Sequence, residues 1–361
     1  MGVKGTNKGN KETFWDYLNT SGKRKYKNTH ALGDGYKAPA SATGGTKITE
    51  GAYTIHHFPN PSRTLNAEAT FVLSDKDGPL TVDYIVIGGG GSGGAGDPGA
   101  FSGGGGGGGT VHVRTGHPIT NGTFPVEVGK GGTNSSAPAG ALGFNDSGKG
   151  QPGYASTCFG LTAPGGGAGG ATGSAGDAGG SSGGGSHGNT TVTAQTGVDW
   201  PGAAPLVSPT DGWGNANHAG AASFLGGGGG GAATGGPPAN REGGDGIDLS
   251  PMVGTTLGGS ASVGNNTASG GYFAGGGGAG YYNGPRAEGG KGGAGPSGSN
   301  PTGGSDGARA VLSTGSGGGG GDGGTGSQNP WNPPTQPHGT FGTGGGGGPG
   351  IVIIRYLTAD L

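Results

Sequence analysis

The chain has 361 residues, of which 103 are glycine and 24 are proline. Leu, Ile, Val and Phe together number only 48, too few to fill the several cores that a chain of this length ordinarily builds. The net charge is −2, only 11% of residues are charged, and there is one cysteine. These values argue against an ordinary enzyme fold, a highly charged disordered chain and a disulfide framework. Collagen needs glycine at every third position, and seven consecutive glycines at 103–109 followed by Thr110 and Val111 exclude it.

Charge is uneven along the chain. Residues 1–50 carry nine Lys or Arg against four Asp or Glu, and the other 311 residues carry ten against seventeen. This basic segment also holds Phe14, Trp15 and Tyr17, followed by Lys23, Arg24, Lys25 and Lys27. No nucleic-acid module surrounds the basic run, so we read 1–50 as a docking segment for a larger partner, with no nucleic acid expected. It lacks the apolar stretch of a secretory signal, and no run approaches the ~20 apolar residues of a membrane span. Membrane insertion is not expected.

Strand-like segments follow. Residues 52–58 (AYTIHHF) and 67–73 (AEATFVL) are bounded by turn residues. Residues 80–87 (LTVDYIVI) begin in alternation and end apolar on both faces, as a fully buried strand does. Residues 110–115 and 123–129 read as a hairpin pair, with Pro125 placing its strand near an edge. The next strongly apolar strand is 350–356 (GIVIIRY). Thus one apolar strand runs directly into glycines and another emerges directly from them, with ~250 residues of glycine tracts and loops between. Two strands able to pair would frame the whole glycine region.

Ordering a backbone residue costs about 1–2 kcal/mol, and glycine lies at the high end. With few side chains to bury, the compensation must come from the main chain, which offers one donor and one acceptor per residue. An extended threefold helix bonds nothing within itself and points its amides sideways. Lacking Cβ atoms, several such helices can approach closely enough to bond one another at about 1 kcal/mol net per bond. The expected architecture is mainly β and irregular: a small β-sandwich-like framework bracketing a bundle of packed polyglycine-II helices, with loops at the rod ends. The boundaries read from the sequence are 1–50 docking segment, 51–129 framework, 130–349 glycine bundle, and 350–361 closing strand and tail.

The run Tyr84-Ile-Val-Ile-Gly-Gly-Gly-Gly-Ser-Gly-Gly, the long tracts, and the ending Gly-Pro-Gly-Ile-Val-Ile-Ile-Arg-Tyr356 resemble the glycine-rich domains of tailed-phage tail-fibre and adhesin proteins. The resemblance covers about 51–356. It implies a virion protein of the tail fibre or tail tip whose distal loops contact a bacterial surface receptor, protein or glycan. It also implies attachment of the basic segment to other virion proteins. A homotrimer and a single copy on a trimeric shaft are both compatible with it. The corresponding loops here hold Trp200, Trp213, Tyr272, Phe273, Tyr281, Tyr282, Trp331 and Phe341. Each of these aromatics either contacts the receptor or folds back to cap the glycine layers. Two other readings remain open: a structural fibre or decoration subunit without receptor contact, and an ice-binding glycine-rich protein.

No catalytic, cofactor or metal site is expected. The near P-loop match at 143–150 has Gly150 where magnesium would need Ser or Thr. The stretch 243–248 resembles a single calcium-binding nonapeptide, but that architecture needs tandem copies. His56, His57, His112 and His117 read as half-buried or solvated side chains, and Cys158 as an inert packed thiol.

Overall fold

A computed structural model describes residues 39–96, 102–134, 148–171, 173–186, 212–217, 225–236, 241–258, 271–281, 285–298, 304–323 and 342–361. Among the described residues the regular structure is mostly β, with almost no helix. The strands are β1 (Ser41–Thr43), β2 (Thr46–Glu50), β3 (Tyr53–Pro59), β4 (Ala67–Ser74), β5 (Leu80–Ile87), β6 (Val111–Ile119), β7 (Gly122–Val128), β8 (Ser156–Cys158), β9 (Leu161–Ala163), β10 (Ile247–Asp248), β11 (Tyr272–Phe273) and β12 (Ile351–Leu357). A short helix, α1 (Ser250–Gly258), is broken within by Gly254 in the left-handed region.

Two antiparallel five-stranded sheets face each other. The outer sheet has the order β1-β4-β7-β8-β9 and the central sheet β2-β3-β12-β5-β6. The two strands that frame the glycine region do pair: β12 lies between β5 and β3, with Ile351 opposite both Ile87 and Pro59. The period of two explains their composition. Val82, Tyr84, Val86, Val352, Ile354 and Tyr356 point into the space between the sheets, against Phe71, Leu73, Val126 and Cys158. Ile85, Ile87, Ile351 and Ile353 point the other way, into a second cluster with Trp213, Ile247, Leu249, Val253 and Phe273. A strand with a core on each side must be apolar on each side.

The structure corrects four expectations. The framework begins before residue 51, because residues 41–50 supply β1 and β2, the edge strands of the two sheets. The framework also draws on β8 and β9, well inside the supposed glycine bundle. The strands β6 and β7 are consecutive but do not pair: β6 bonds β5 in the central sheet and β7 bonds β4 in the outer one. Pro125 therefore lies within an interior strand. The β8 pairing covers only Val126 and Glu127, so the N–H that Pro125 lacks falls where the ladder is open. Finally, His56 and His112 are buried rather than half-buried or solvated. The basic residues Lys23, Arg24, Lys25 and Lys27, with Phe14, Trp15 and Tyr17, lie outside the described residues.

Glycine segments continue the strands beyond the sheets. Along 88–96 the amides turn to three neighbours in rotation. Gly88, Gly91 and Gly94 donate to Thr110, Gly107 and Gly104. Gly89, Ser92 and Ala95 donate to Tyr154, Gln151 and Gly148, while Gly90, Gly93 and Gly96 donate to Gly348, Gly345 and Gly342. Its carbonyls accept from three more segments, through Gly132, Gly166 and Gly318. Segment 103–110 repeats the pattern toward 315–321, 164–170 and 227–230. These buried main-chain groups are satisfied by one another instead of by strand ladders. Side chains appear where a face allows them: the Ser92 hydroxyl accepts the Gln151 amide at 2.7 Å.

Candidate functional site

The register separates two poles. Leu80 pairs with Ile119, Leu73 with Gly122, Ser41 with Ser74 and Leu357 with Tyr53, all at the ends of the sheets remote from the glycines. At the opposite pole Gly96 bonds Gly342, Gly103 bonds Gly321, Gly280 bonds Gly103 and Gly298 bonds Gly320. The described residues 96, 102, 281, 285, 298, 304, 323 and 342 border this far end.

Of the eight aromatics singled out by sequence, four are described, and they do not gather. Trp213 bonds across the edge of β6 to Val111 and is 1% exposed, and Phe273 is fully buried beside it in the cluster behind the central sheet. These two take the packing role, because the central sheet needs apolar cover on that face and the sequence has few other large side chains to provide it. Tyr272 is half-buried at the same sheet-proximal level, with the Lys291 ammonium 5.4 Å from its ring. Tyr281 lies nine residues further along, at the far end, where the preceding Gly280 donates to Gly103. Trp200, Tyr282, Trp331 and Phe341 fall outside the described residues.

Around Tyr281 the structure assembles a small polar and aromatic group. Tyr281 forms an isolated antiparallel bridge with Leu225, which puts both side chains on one side of the ribbon. The Arg241 guanidinium lies 4.3 Å from the Tyr281 ring centroid, a cation–π stack. Its Nη1 donates to the Pro285 carbonyl at 3.3 Å, and its own carbonyl accepts the Ala279 amide. Arg241 has φ 60, left-handed for a non-glycine residue. Burial lowers its pKa from the ordinary value, and Tyr281, Asp322 and Glu242 oppose that shift, so the group stays charged. Neither Arg241 nor Leu225 stands out in the sequence as a site residue. The one signal for them was position, since Leu225 directly precedes the tract 226–231 and Arg241 lies two residues before Gly243.

Elsewhere the titratable groups serve packing. His56 Nδ1 donates to the Gly44 carbonyl at 2.7 Å, which leaves Nε2 as acceptor toward the Tyr356 hydroxyl at 3.3 Å. Burial lowers its pKa. Cys158 is buried between the sheets, and burial pushes its thiol up to about 12. Among the described residues no three His, Cys, Asp or Glu side chains gather as a metal site, and no helix is long and apolar enough to cross a membrane.

The family model for the glycine-rich domain matches residues 65–357. The chain belongs to the glycine-rich domain family. A search of the curated proteins found no match. In this glycine-rich domain the matched span runs from the turn before β4 to the last residue of β12, so it takes in the paired strands β5 and β12 and the glycine segments between them. Strands β1 to β3 precede it and complete the two sheets.

Proposed function

We propose that this glycine-rich domain is a receptor-recognition protein of a phage tail fibre or tail tip. In this reading the sheets are the base, the glycine segments form a polyglycine-II bundle, and the loops at the far end contact the bacterial surface. Its action is reversible binding, without catalysis, by loops whose ordering cost is lowered in advance by a rigid support. The observation that carries the reading is the polarity of the molecule. Ser41, to which the basic N-terminal segment leads, pairs with Ser74 at one pole, while the glycine segments turn at the other. Attachment through one end and recognition through the other follow naturally from that layout. The rod interpretation is supported by amides that return to the same neighbour at every third residue. The N-terminal segment would then bind other virion proteins.

The test is adsorption. Particles carrying a deletion of 327–341, or Trp200→Ala with Trp331→Ala, are expected to assemble in normal numbers and to lose host adsorption. Normal adsorption by both variants overturns the assignment of recognition to these loops.

A further inference from the structure

Arg241 is unusual in three independent respects. First, it holds a left-handed backbone conformation in a chain where glycine is the commonest residue, two positions before Gly243 and Gly244. A non-glycine side chain is strained there, so the cation sits at a position where glycine would be unstrained. Second, its planar group is fixed from one side. The Tyr281 ring covers a face at 4.3 Å and the Pro285 carbonyl takes Nη1. Among the described residues, Nε and Nη2 have no acceptor and no carboxylate lies within ion-pair distance of the guanidinium. Other cations of this end are paired: Lys149 with Asp177 at 2.6 Å and Arg286 with Glu288 at 3.6 Å. Third, it stands at the pole remote from the sheets, where its carbonyl accepts the Ala279 amide and its ring partner Tyr281 is bridged to the apolar Leu225.

A pre-oriented guanidinium with open donors binds a planar or tetrahedral oxyanion in a fork geometry. The aromatic ring and aliphatic side chain beside it suit the C–H face of a sugar. Arg241 is charged at every working pH, as guanidinium groups are in proteins. We propose that Arg241, with Tyr281 and Leu225, is a subsite for one carboxylate or phosphate group of an acidic bacterial surface glycan. This deepens the recognition reading and rests on it for the biological ligand. The chemistry rests on Arg241 alone.

The full chain is titrated with three probes of similar length: oligogalacturonate, a mannan oligosaccharide bearing 6-phosphates, and neutral maltoheptaose. Binding of oligogalacturonate or the phosphorylated probe, weakened by salt, with none of maltoheptaose, is the expected result. The better of the two anionic probes identifies carboxylate or phosphate as the ligand group. Arg241→Gln should weaken that binding at least tenfold, Arg241→Lys less, and Tyr281→Ala about threefold. Amide exchange of segments 88–96 and 103–110 shows that each variant retains the wild-type fold. The Lys variant supplies the comparison should the Gln variant lose it. Equal binding by a folded Arg241→Gln protein, equal binding of the neutral probe, or failure of both anionic probes overturns the subsite. Should the anionic probes fail while the 327–341 deletion still abolishes adsorption, the subsite is wrong and the recognition reading stands. Normal adsorption after that deletion removes the recognition reading, whatever the probes do.

Discussion

The amide of Gly91 donates to the carbonyl of Gly107 at 2.9 Å, and the carbonyl of Gly91 occupies the space that a Cβ at Gly106 would need. The bond and the missing side chain are thus two aspects of one close approach. Gly106→Ala would press a methyl group into main-chain atoms of a neighbouring segment, which cannot rotate away as a side chain can. We expect a loss on the order of 1–3 kcal/mol, as for other overpacked interiors. Gly122 provides the contrast, since its nearest neighbour is the Phe124 ring edge at 3.5 Å. Gly122→Ala should be neutral or stabilising by up to about 1 kcal/mol, through the unfolded chain. Urea midpoints decide it: equal midpoints for the two variants would mean that close approach is not what selects glycine at Gly106.

That contrast bears on what could be read in advance. The strands β5 and β12 were legible because a strand between two cores must be apolar on both faces, and few other stretches meet that condition. The strands β1 and β2 were not, because edge strands of three and five residues such as SAT and TKITE need no apolar pattern. Residues 110–115 and 123–129 were recognisable as strands, but their partners depend on which sheet each joins, a long-range choice. Trp213 and Phe273 looked like loop aromatics for the same reason, since the cluster they fill is built from eight separate parts of the chain. Arg241 was invisible as a site because Tyr281 and Asp322 approach it only through the register of the glycine segments.

Arg355 should behave as a clasp between the central sheet and the layer behind it. Its Nε is 3.0 Å from the Asp83 carboxylate, its guanidinium lies over the Tyr53 ring at 4.5 Å, and its Nη1 donates to the carbonyls of Pro251 and Met252. The two ion-pair side chains are only 15% and 20% exposed. Arg355→Ala removes all four contacts and leaves Asp83 short of its partner. The expected loss is about 3 kcal/mol. Arg355→Lys keeps the charge without the planar fork and should lose roughly half as much. A urea titration in which Arg355→Ala stays within about 0.5 kcal/mol of wild type would show that the layer is held by Met252 and Val253 alone.

Cys158 should be chemically silent in the folded protein. It lies between the sheets with its thiol pushed up to about 12 by burial, against a smaller opposing contribution from the Phe159 amide. The thiolate is the reactive form, so at pH 8 almost none is present and the reagent has no path to it. Labelling with an aromatic disulfide should be slow in native buffer and prompt in denaturant. Prompt labelling under native conditions would place the opening of the sandwich far more often than its packing implies.

Stability should fall as the protein is acidified below pH 6.5, with His56 as one cause. Its folded-state pKa is lowered, chiefly by burial, from the ordinary 6.5, while Lys47 and His57 add to the lowering and the Gly44 carbonyl opposes it. The neutral ring fits its two partners, because Nδ1–H meets the Gly44 carbonyl and Nε2 faces the Tyr356 hydroxyl. Above pH 6.5 both folded and unfolded histidine are neutral and the contribution is complete. Below it the unfolded chain binds the proton first, so each further unit of acidification favours unfolding by up to about 1.4 kcal/mol until the folded ring also protonates. His57 shifts in the same direction through its own burial and should add to the slope. Unfolding free energies of wild type and His56→Leu, measured between pH 7.5 and 5, should diverge in slope: the variant is less stable at neutral pH, having lost the bond to Gly44, and flatter toward acid. Parallel curves would mean that protonation of the buried ring is accommodated without cost.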